Sequence, residues 1–171
     1  MYWLNENSKK FLSKGYLMEG VTAEERIREI AKKAENYLNK PGFADKFYDY
    51  MSKGFYSLAS PVWSNYGLKR GLPISCFSSY IADDMSRILY THAEVGMMTK
   101  YGGGTAGHFA GLRPRGAPIK DNGTSSGSVH FMELFDNLIN IVSQGSVRRG
   151  HFAPYLPVEH KDIEEFLNIG T

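Results

Sequence analysis

One thiol, a run of glycines and a few arginines are the groups in this 171-residue sequence that could do chemistry. Cys76 is the only cysteine, so the chain cannot close a disulfide with itself or hold zinc on several thiolates. In an apolar strand a lone thiol is by default a small, inert, buried hydrophobe. The run GGGTAG at 102–107 fits the G-x-G-x-x-G pattern of dinucleotide binding. That fingerprint needs a strand before it and a helix opening at it, whereas here a helical pattern precedes and a strand-like one follows. No G-K-[ST] is present, which removes the Walker phosphate loop as well. Consecutive glycines still let backbone N–H groups approach a phosphate without Cβ interference, although a plain flexible turn would look the same.

Charge adds a second clue. Between Lys100 and Lys120 stand four bases, Lys100, Arg113, Arg115 and Lys120, and no acid, while outside that window acids outnumber bases. A local positive field around a glycine-rich segment suits a small anion better than a phosphate backbone, and a solvated basic loop is the plainer alternative. The loop SQGSVRRG at 143–150 offers Gln144, Arg148 and Arg149 between small residues such as Gly145. Guanidinium forks match phosphate or the polar edge of a base, though a surface turn could have this composition too. The five histidines lack ligand spacing, no Ser-His-Asp arrangement can be read from order alone, and no metal site is expected.

The composition, 42% apolar and 22% charged, is that of a folded protein with one core. A formal net charge of +2 gives no reason to expect nucleic acid as a partner. The longest run without a charged side chain, 54–68, contains Ser, Asn and Tyr, and a membrane helix needs about 20 mostly apolar residues. The start, MYWLNENSKKF, has no apolar stretch of the kind a secretory signal requires, so a mature cytoplasmic chain is expected.

These groups must be positioned by regular elements. Thr22 and Glu25 form a capping box, followed by Ile27, Ile30, Ala31, Ala34 and Leu38 at helical spacing until Pro41-Gly42. A second helix carries an aromatic core face, Phe43, Phe47 and Tyr50 with Met51, and ends at Gly54. From Ser57 through Gly71 the proline and changed texture predict an irregular crossing, which divides the chain into a helical segment, 1–56, and a second part, 57–171. Residues 73–81 alternate and predict a strand with Cys76 near its middle. Asp83 and Asp84 can cap a helix whose apolar face is Met85, Ile88, Leu89, His92 and Val95, the histidine being a hydrogen-bonded core residue rather than a ligand. Residues 105–112 can form a second strand. The apolar helix 129–142 should be buried on several sides, 151–156 form a third strand, and a last helix begins at Asp162.

Strand, helix, strand, helix, strand is α/β order with helices long enough to cross between parallel strands. Three such strands leave unpaired edges, so part of a larger sheet is expected, with a small complete α/β domain as the alternative.

Six segments in series, SPVWSNYG, SCFSSYIADDMSRI, KYGGGTAGHFAGLRPRGAPI, SSGSVHFMELFD, SQGSVRRGHF and HKDIEEFL, strongly resemble the large, catalytic subunit of ribonucleotide reductase. The resemblance runs from about Ser57 to Leu167 and more loosely over the helical start. It implies an α/β fold: a helical N-terminal segment followed by the first strands and helices of a ten-stranded α/β barrel, an incomplete half-barrel. No room is left for the family's ATP cone. Cys76 would be one of two redox thiols oxidised to a disulfide as the ribose 2′-OH leaves. Ser60, Ser75, Gly103, Gly104 and Arg149 would border the substrate. Asp83, Arg113 and Lys120 would surround the specificity site, where ATP or a deoxynucleoside triphosphate binds at a dimer interface, the acid holding ribose hydroxyls and the bases phosphates. Gln144, Gly145, Arg148 and Arg149 would belong to the loop that reports effector identity, a loop slightly shorter here than in some members.

The resemblance also implies partners. The thiyl-radical cysteine, its neighbouring Asn and Glu, the second redox cysteine and the shuttle cysteines match nothing in this sequence, so a split or truncated subunit, inactive alone, is expected. A second polypeptide would carry the rest of the barrel, and a thioredoxin or glutaredoxin would re-reduce the thiols. The chain itself is expected to bind no radical cofactor, which would come from a diiron or dimanganese small subunit or from adenosylcobalamin. The rival expectation is a non-catalytic nucleotide-binding fragment that regulates an intact reductase.

Overall fold

The computed structural model of the chain describes residues 1–142, 144 and 149–169. The chain forms two compact units, Met1–Ile74 and Ser75–Thr171. The textural change at Ser57 therefore falls inside the first unit, because Trp63 packs into the N-terminal helical core.

The first unit contains α1 (Glu6–Leu12), α2 (Ala23–Leu38), α3 (Phe43–Ser52) and α4 (Ser60–Asn65). The capping box opens α2 as expected: Glu25 N–H donates to Thr22 Oγ1 at 3.2 Å and Thr22 N–H donates to Glu25 Oε2 at 2.8 Å. Ile27, Ile30 and Ala31 lie on its buried face. Leu4, Leu12, Ala23, Ile27, Met51 and Trp63 make the core. Of the aromatic face expected on α3, Met51 is buried, Phe47 packs against the core half-buried, and Tyr50 is exposed beside Phe55. The expected irregular crossing instead contains α4. Pro61 falls in its first turn, where a missing N–H costs no hydrogen bond, so the proline starts this helix rather than breaking it.

The far end of α4 is held by an arginine that is 0% exposed. Arg26 donates from Nε to the Trp63 carbonyl at 2.8 Å and from Nη2 to the carbonyls of Tyr66 at 2.8 Å and Val62 at 3.4 Å. Its Nη1 pairs with Glu29 at 2.7 Å. The last carbonyls of a helix have no partner within it, and this guanidinium supplies one.

The second unit is the parallel α/β element expected from the sequence: β1 (Cys76–Tyr80), α5 (Met85–Lys100), β2 (Gly104–His108), α6 (Ser128–Ile141), β3 (Phe152–Tyr155) and α7 (Ile163–Leu167). The sheet order is β1-β2-β3, all parallel, and it is not closed. Phe77 pairs with Thr105, and Thr105 with Phe152. This row faces the helices, with Ile81, Val95, Phe109, Met132 and Phe135 forming the core. The opposite face is uncovered. Cys76 and Gly104 pair at one end, Ser78, Ala106 and Ala153 stand in the middle row, and Tyr80, His108 and Tyr155 crowd the other end.

Several boundaries moved. Cys76 is the first residue of β1, not its middle, since Pro73 has no N–H for a ladder. On α5 the buried stripe is Ile88, Val95, Gly96 and Thr99, while Met85 and Leu89 are 54% and 51% exposed. The stripe turns this way because Gly96 admits Leu138: a Cβ there would stand 3.3 Å from the leucine Cδ1. Likewise α6 is not buried all round. Val129, Met132, Phe135 and Ile139 face the core, and Ile141 is 83% exposed. His92 is the core residue expected, with Nε2 3.1 Å from the Leu134 carbonyl and its ring edge-on to Phe135. No helix among the described residues is long and apolar enough to cross a membrane.

Candidate functional site

Strand alternation decides the fate of the thiol. Phe77 turns toward the helices, so Cys76 before it turns to the uncovered face, where it is exposed. The default of a buried, inert sulfur is thereby overturned. Ser75 Oγ lies 3.8 Å from Cys76 Sγ, within reach of a weak hydrogen bond. Gly104 N–H donates to the Ser75 carbonyl at 2.6 Å, which ties the glycine run directly to the residue preceding the thiol.

The run itself is a turn from α5 into β2, in the order helix, glycines, strand that rules out the dinucleotide fingerprint. Each glycine has a reason. Gly102 has φ +90° and a Cβ there would run into the Gln144 amide, while a Cβ on Gly103 would come 2.7 Å from the Phe77 ring. Gln144 is buried against this turn. Arg149 is exposed, whereas Gly145 and Arg148 lie outside the described residues. Ser60, the first residue of α4, belongs to the other unit.

Asp83 and Arg113 meet at the base of a hairpin following β2, and Lys120 stands at its tip. Arg113 donates to Asp83 twice, from its backbone N–H at 3.3 Å and from Nε at 2.8 Å, and its Nη1 donates to the Pro118 carbonyl at 3.0 Å. Asp84, not Asp83, caps α5 by accepting from Arg87 N–H at 2.9 Å. The hairpin is closed by Ser125 N–H to the Ala117 carbonyl at 2.8 Å and Ile119 N–H to the Gly123 carbonyl at 2.8 Å. Asp83, Arg113, Ile119, Asn122 and Phe131 line a cleft of about 160 Å³. Lys120 is exposed at the hairpin tip and does not line that cleft.

A further constellation was invisible in the sequence. Asp162, 6% exposed, accepts from Arg115 N–H at 2.9 Å and from Ser128 N–H at 2.8 Å, partners 47 and 34 residues away. Arg115 also forks onto Glu165, with Nε 2.9 Å from Oε2. This hydrogen bond holds the Glu165 carboxyl below its ordinary pKa. His160 Nε2 lies 2.9 Å from the Leu112 carbonyl and 3.3 Å from Ser128 Oγ. Serine, histidine and aspartate together suggest a hydrolytic triad, but the tautomer forbids it. His160 Nδ1 accepts from Asp162 N–H at 3.1 Å, so Nε2 carries the proton and gives it to Leu112. The only sequence signal for this cluster was the segment HKDIEEFL, whose partners lie too far along the chain for spacing to find. Among the described residues no three His, Cys, Asp or Glu converge to hold a metal ion.

Residues 74–170 match the family model for the ribonucleotide reductase barrel domain, and residues 2–71 match that for its all-alpha domain. The chain belongs to the ribonucleotide reductase large-subunit family. Among solved structures, the class Id ribonucleotide reductase alpha subunit of Actinobacillus ureae is 56% identical with a TM-score of 0.88, over 97% of this chain and 30% of that one. The ribonucleoside-diphosphate reductase subunit alpha of Chlamydia trachomatis is 33% identical over 137 residues, 80% of this chain and 13% of its own. The vitamin B12-dependent ribonucleoside-diphosphate reductase of Mycobacterium tuberculosis is 38% identical over 109 residues, 63% of this chain and 15% of that protein. The chain thus spans less than a quarter of the length of such curated reductases. The helical start matches the family's all-alpha domain, and the open three-stranded sheet with its helices is part of the reductase α/β barrel expected from the resemblance.

Proposed function

We propose that this chain supplies one redox thiol and one wall of an effector site to a reductase that converts ribonucleotides to 2′-deoxyribonucleotides. The observation that carries the reading is the exposed Cys76 on the bare sheet face, beside Ser75 and the Gly103-Gly104 backbone. Reduction replaces the ribose C2′–OH bond by C2′–H and releases water. Two thiols supply the two electrons and two protons, and become a disulfide. With one cysteine in its sequence the chain provides half of that couple, and the second thiol comes from residues beyond these 171. So does the thiyl radical that opens the reaction. The relatives named vitamin B12-dependent and class Id are alike in this region yet differ in name, which fits a radical source held elsewhere. Ser60, Ser75, Gly103, Gly104 and Arg149 border the nucleotide, and a thioredoxin or glutaredoxin restores the thiols. The chain taken alone has no turnover.

Asp83, Arg113 and Lys120 form the effector wall for ATP or a deoxynucleoside triphosphate. A cleft of about 160 Å³ is below the roughly 300–1,000 Å³ of pockets that enclose a ligand this size, which supports a site completed by a second copy. The ion pair between Asp83 and Arg113 opens as the carboxylate turns to ribose hydroxyls and the guanidinium to phosphate. In a reductase containing the remaining barrel residues and its radical source, ribonucleoside diphosphate should yield its 2′-deoxy product; no product under those conditions rejects the reading. Arg113→Ala should weaken triphosphate binding by roughly tenfold to a hundredfold, the loss of one charge-assisted contact. Calorimetry measures it, and unchanged affinity removes Arg113 from the site.

A further inference from the structure

Both ends of the effector hairpin terminate on one buried carboxylate. Where the chain enters, Arg115 N–H donates to Asp162 Oδ1 at 2.9 Å; where it leaves, Ser128 N–H donates to Asp162 Oδ2 at 2.8 Å. Gly127 has φ +91°, and a Cβ on it would stand 2.9 Å from Arg115 Cβ and 3.0 Å from Asp162 Oδ2, so the two stems and the carboxylate are in close contact. One residue before Arg113, the Leu112 carbonyl accepts from His160 Nε2 at 2.9 Å. Two residues after it, the Arg115 guanidinium is forked onto Glu165. Arg113 is therefore suspended between two points that are both fixed by the segment 160–165. Ser128 is also the first residue of α6, whose preceding Gly127 offers no side-chain cap, so Asp162 provides that cap from a distant part of the chain.

We propose that Asp162 is a positioning residue for effector binding: by clamping both stems of the 113–127 hairpin it sets where Arg113 and Lys120 meet the triphosphate. The proposal rests on the effector-site reading and goes beyond it, since Asp162 itself does not line the cleft. It acts on the effector through backbone geometry alone.

The test uses the complete reductase and dTTP as probe. Asp162→Ala should raise the dTTP dissociation constant about tenfold, the lower end of what losing a direct phosphate contact costs, because the two hydrogen bonds lost hold the hairpin and not the ligand. The concentration for half-activation should rise in step, with turnover at saturating dTTP held within about twofold. A residue that merely stabilised the fold would lower turnover and melting temperature without that split. Asp162→Asn retains one accepting oxygen and should fall between the parent and Asp162→Ala. It carries the test alone if the alanine variant does not fold. Arg113→Ala is the control. Weakened dTTP binding in Arg113→Ala but parental affinity in the Asp162 variants overturns the proposal and leaves the effector site standing. Parental affinity in all of them overturns the effector-site reading and the proposal with it.

Discussion

Cys76→Ser in the complete reductase loses multiple turnover, by at least about 10³-fold, because a hydroxyl neither gives up electrons to form a disulfide nor protonates a leaving hydroxyl as a thiol does. The substitution is nearly isosteric, and the side chain it alters is exposed on a sheet face that none of the described residues covers. Folding and melting temperature should therefore stay at parental values, which separates lost chemistry from lost structure. Effector affinity should also be unchanged, since Cys76 does not line the Asp83–Arg113 cleft. Steady-state formation of deoxynucleotide with excess reductant is the measurement. Parental turnover from Cys76→Ser rejects the redox role outright, whatever the resemblance implies.

Arg26→Ala should be the most destabilising single change in the first unit, at about 3 kcal/mol. The guanidinium is wholly buried and donates to three carbonyls at or after the last turn of α4, of which that of Val62 also accepts from Tyr66 N–H and would keep a partner. Each carbonyl left without a donor costs about 1–3 kcal/mol if water cannot reach it, and the cavity admits some water, which keeps the sum well below three full penalties. Glu29 is not stranded by the change, because Lys33 also pairs with it at 2.8 Å. Arg26→Met, which keeps the packing volume and removes the donors, should recover only the packing part. Denaturant unfolding of the full chain gives the comparison, as a lower midpoint at unchanged slope. A loss below about 1 kcal/mol for Arg26→Ala would mean that solvent already satisfies those carbonyls.

The contrast between Cys76 and Arg26 shows what was legible in the sequence. Local signals with a short mechanical basis survived: the Thr22–Glu25 capping box, the strand-helix alternation, and the helix-before-glycines order that ruled out a dinucleotide fold. Expectations about which side of an element is wet held for α2, where Ile27, Ile30 and Ala31 are buried, but only in part for α5. Helical spacing puts Met85 and Leu89 on the buried face of α5, and an apolar strand makes a buried thiol the default for Cys76, against which only the family resemblance speaks, because hydrophobicity says that a residue prefers burial and not what covers it. The covering depends on which strand lies beside which, and on small features such as Gly96 giving way to Leu138. Nothing local marks Arg26, one of several charged residues in α2, for burial. Its carbonyl partners, 36 to 40 residues away, obey no periodicity. The same holds for Asp162, whose partners lie 47 and 34 residues away, although its segment HKDIEEFL carries part of the family resemblance.

The bare face of the sheet coarsens steadily from one end to the other, from Gly104 beside the thiol, through alanines, to the tyrosine and histidine rings past the middle row. A rigid guest laid along it is therefore tilted, resting low at the sulfur and propped up at the far end by Tyr80, His108 and Tyr155. In the substrate site proposed above, height above the strands rather than lateral room would select which part of a nucleotide reaches Cys76, and a bulkier residue at position 104 or 106 would level the ramp and lift the sugar away from the sulfur.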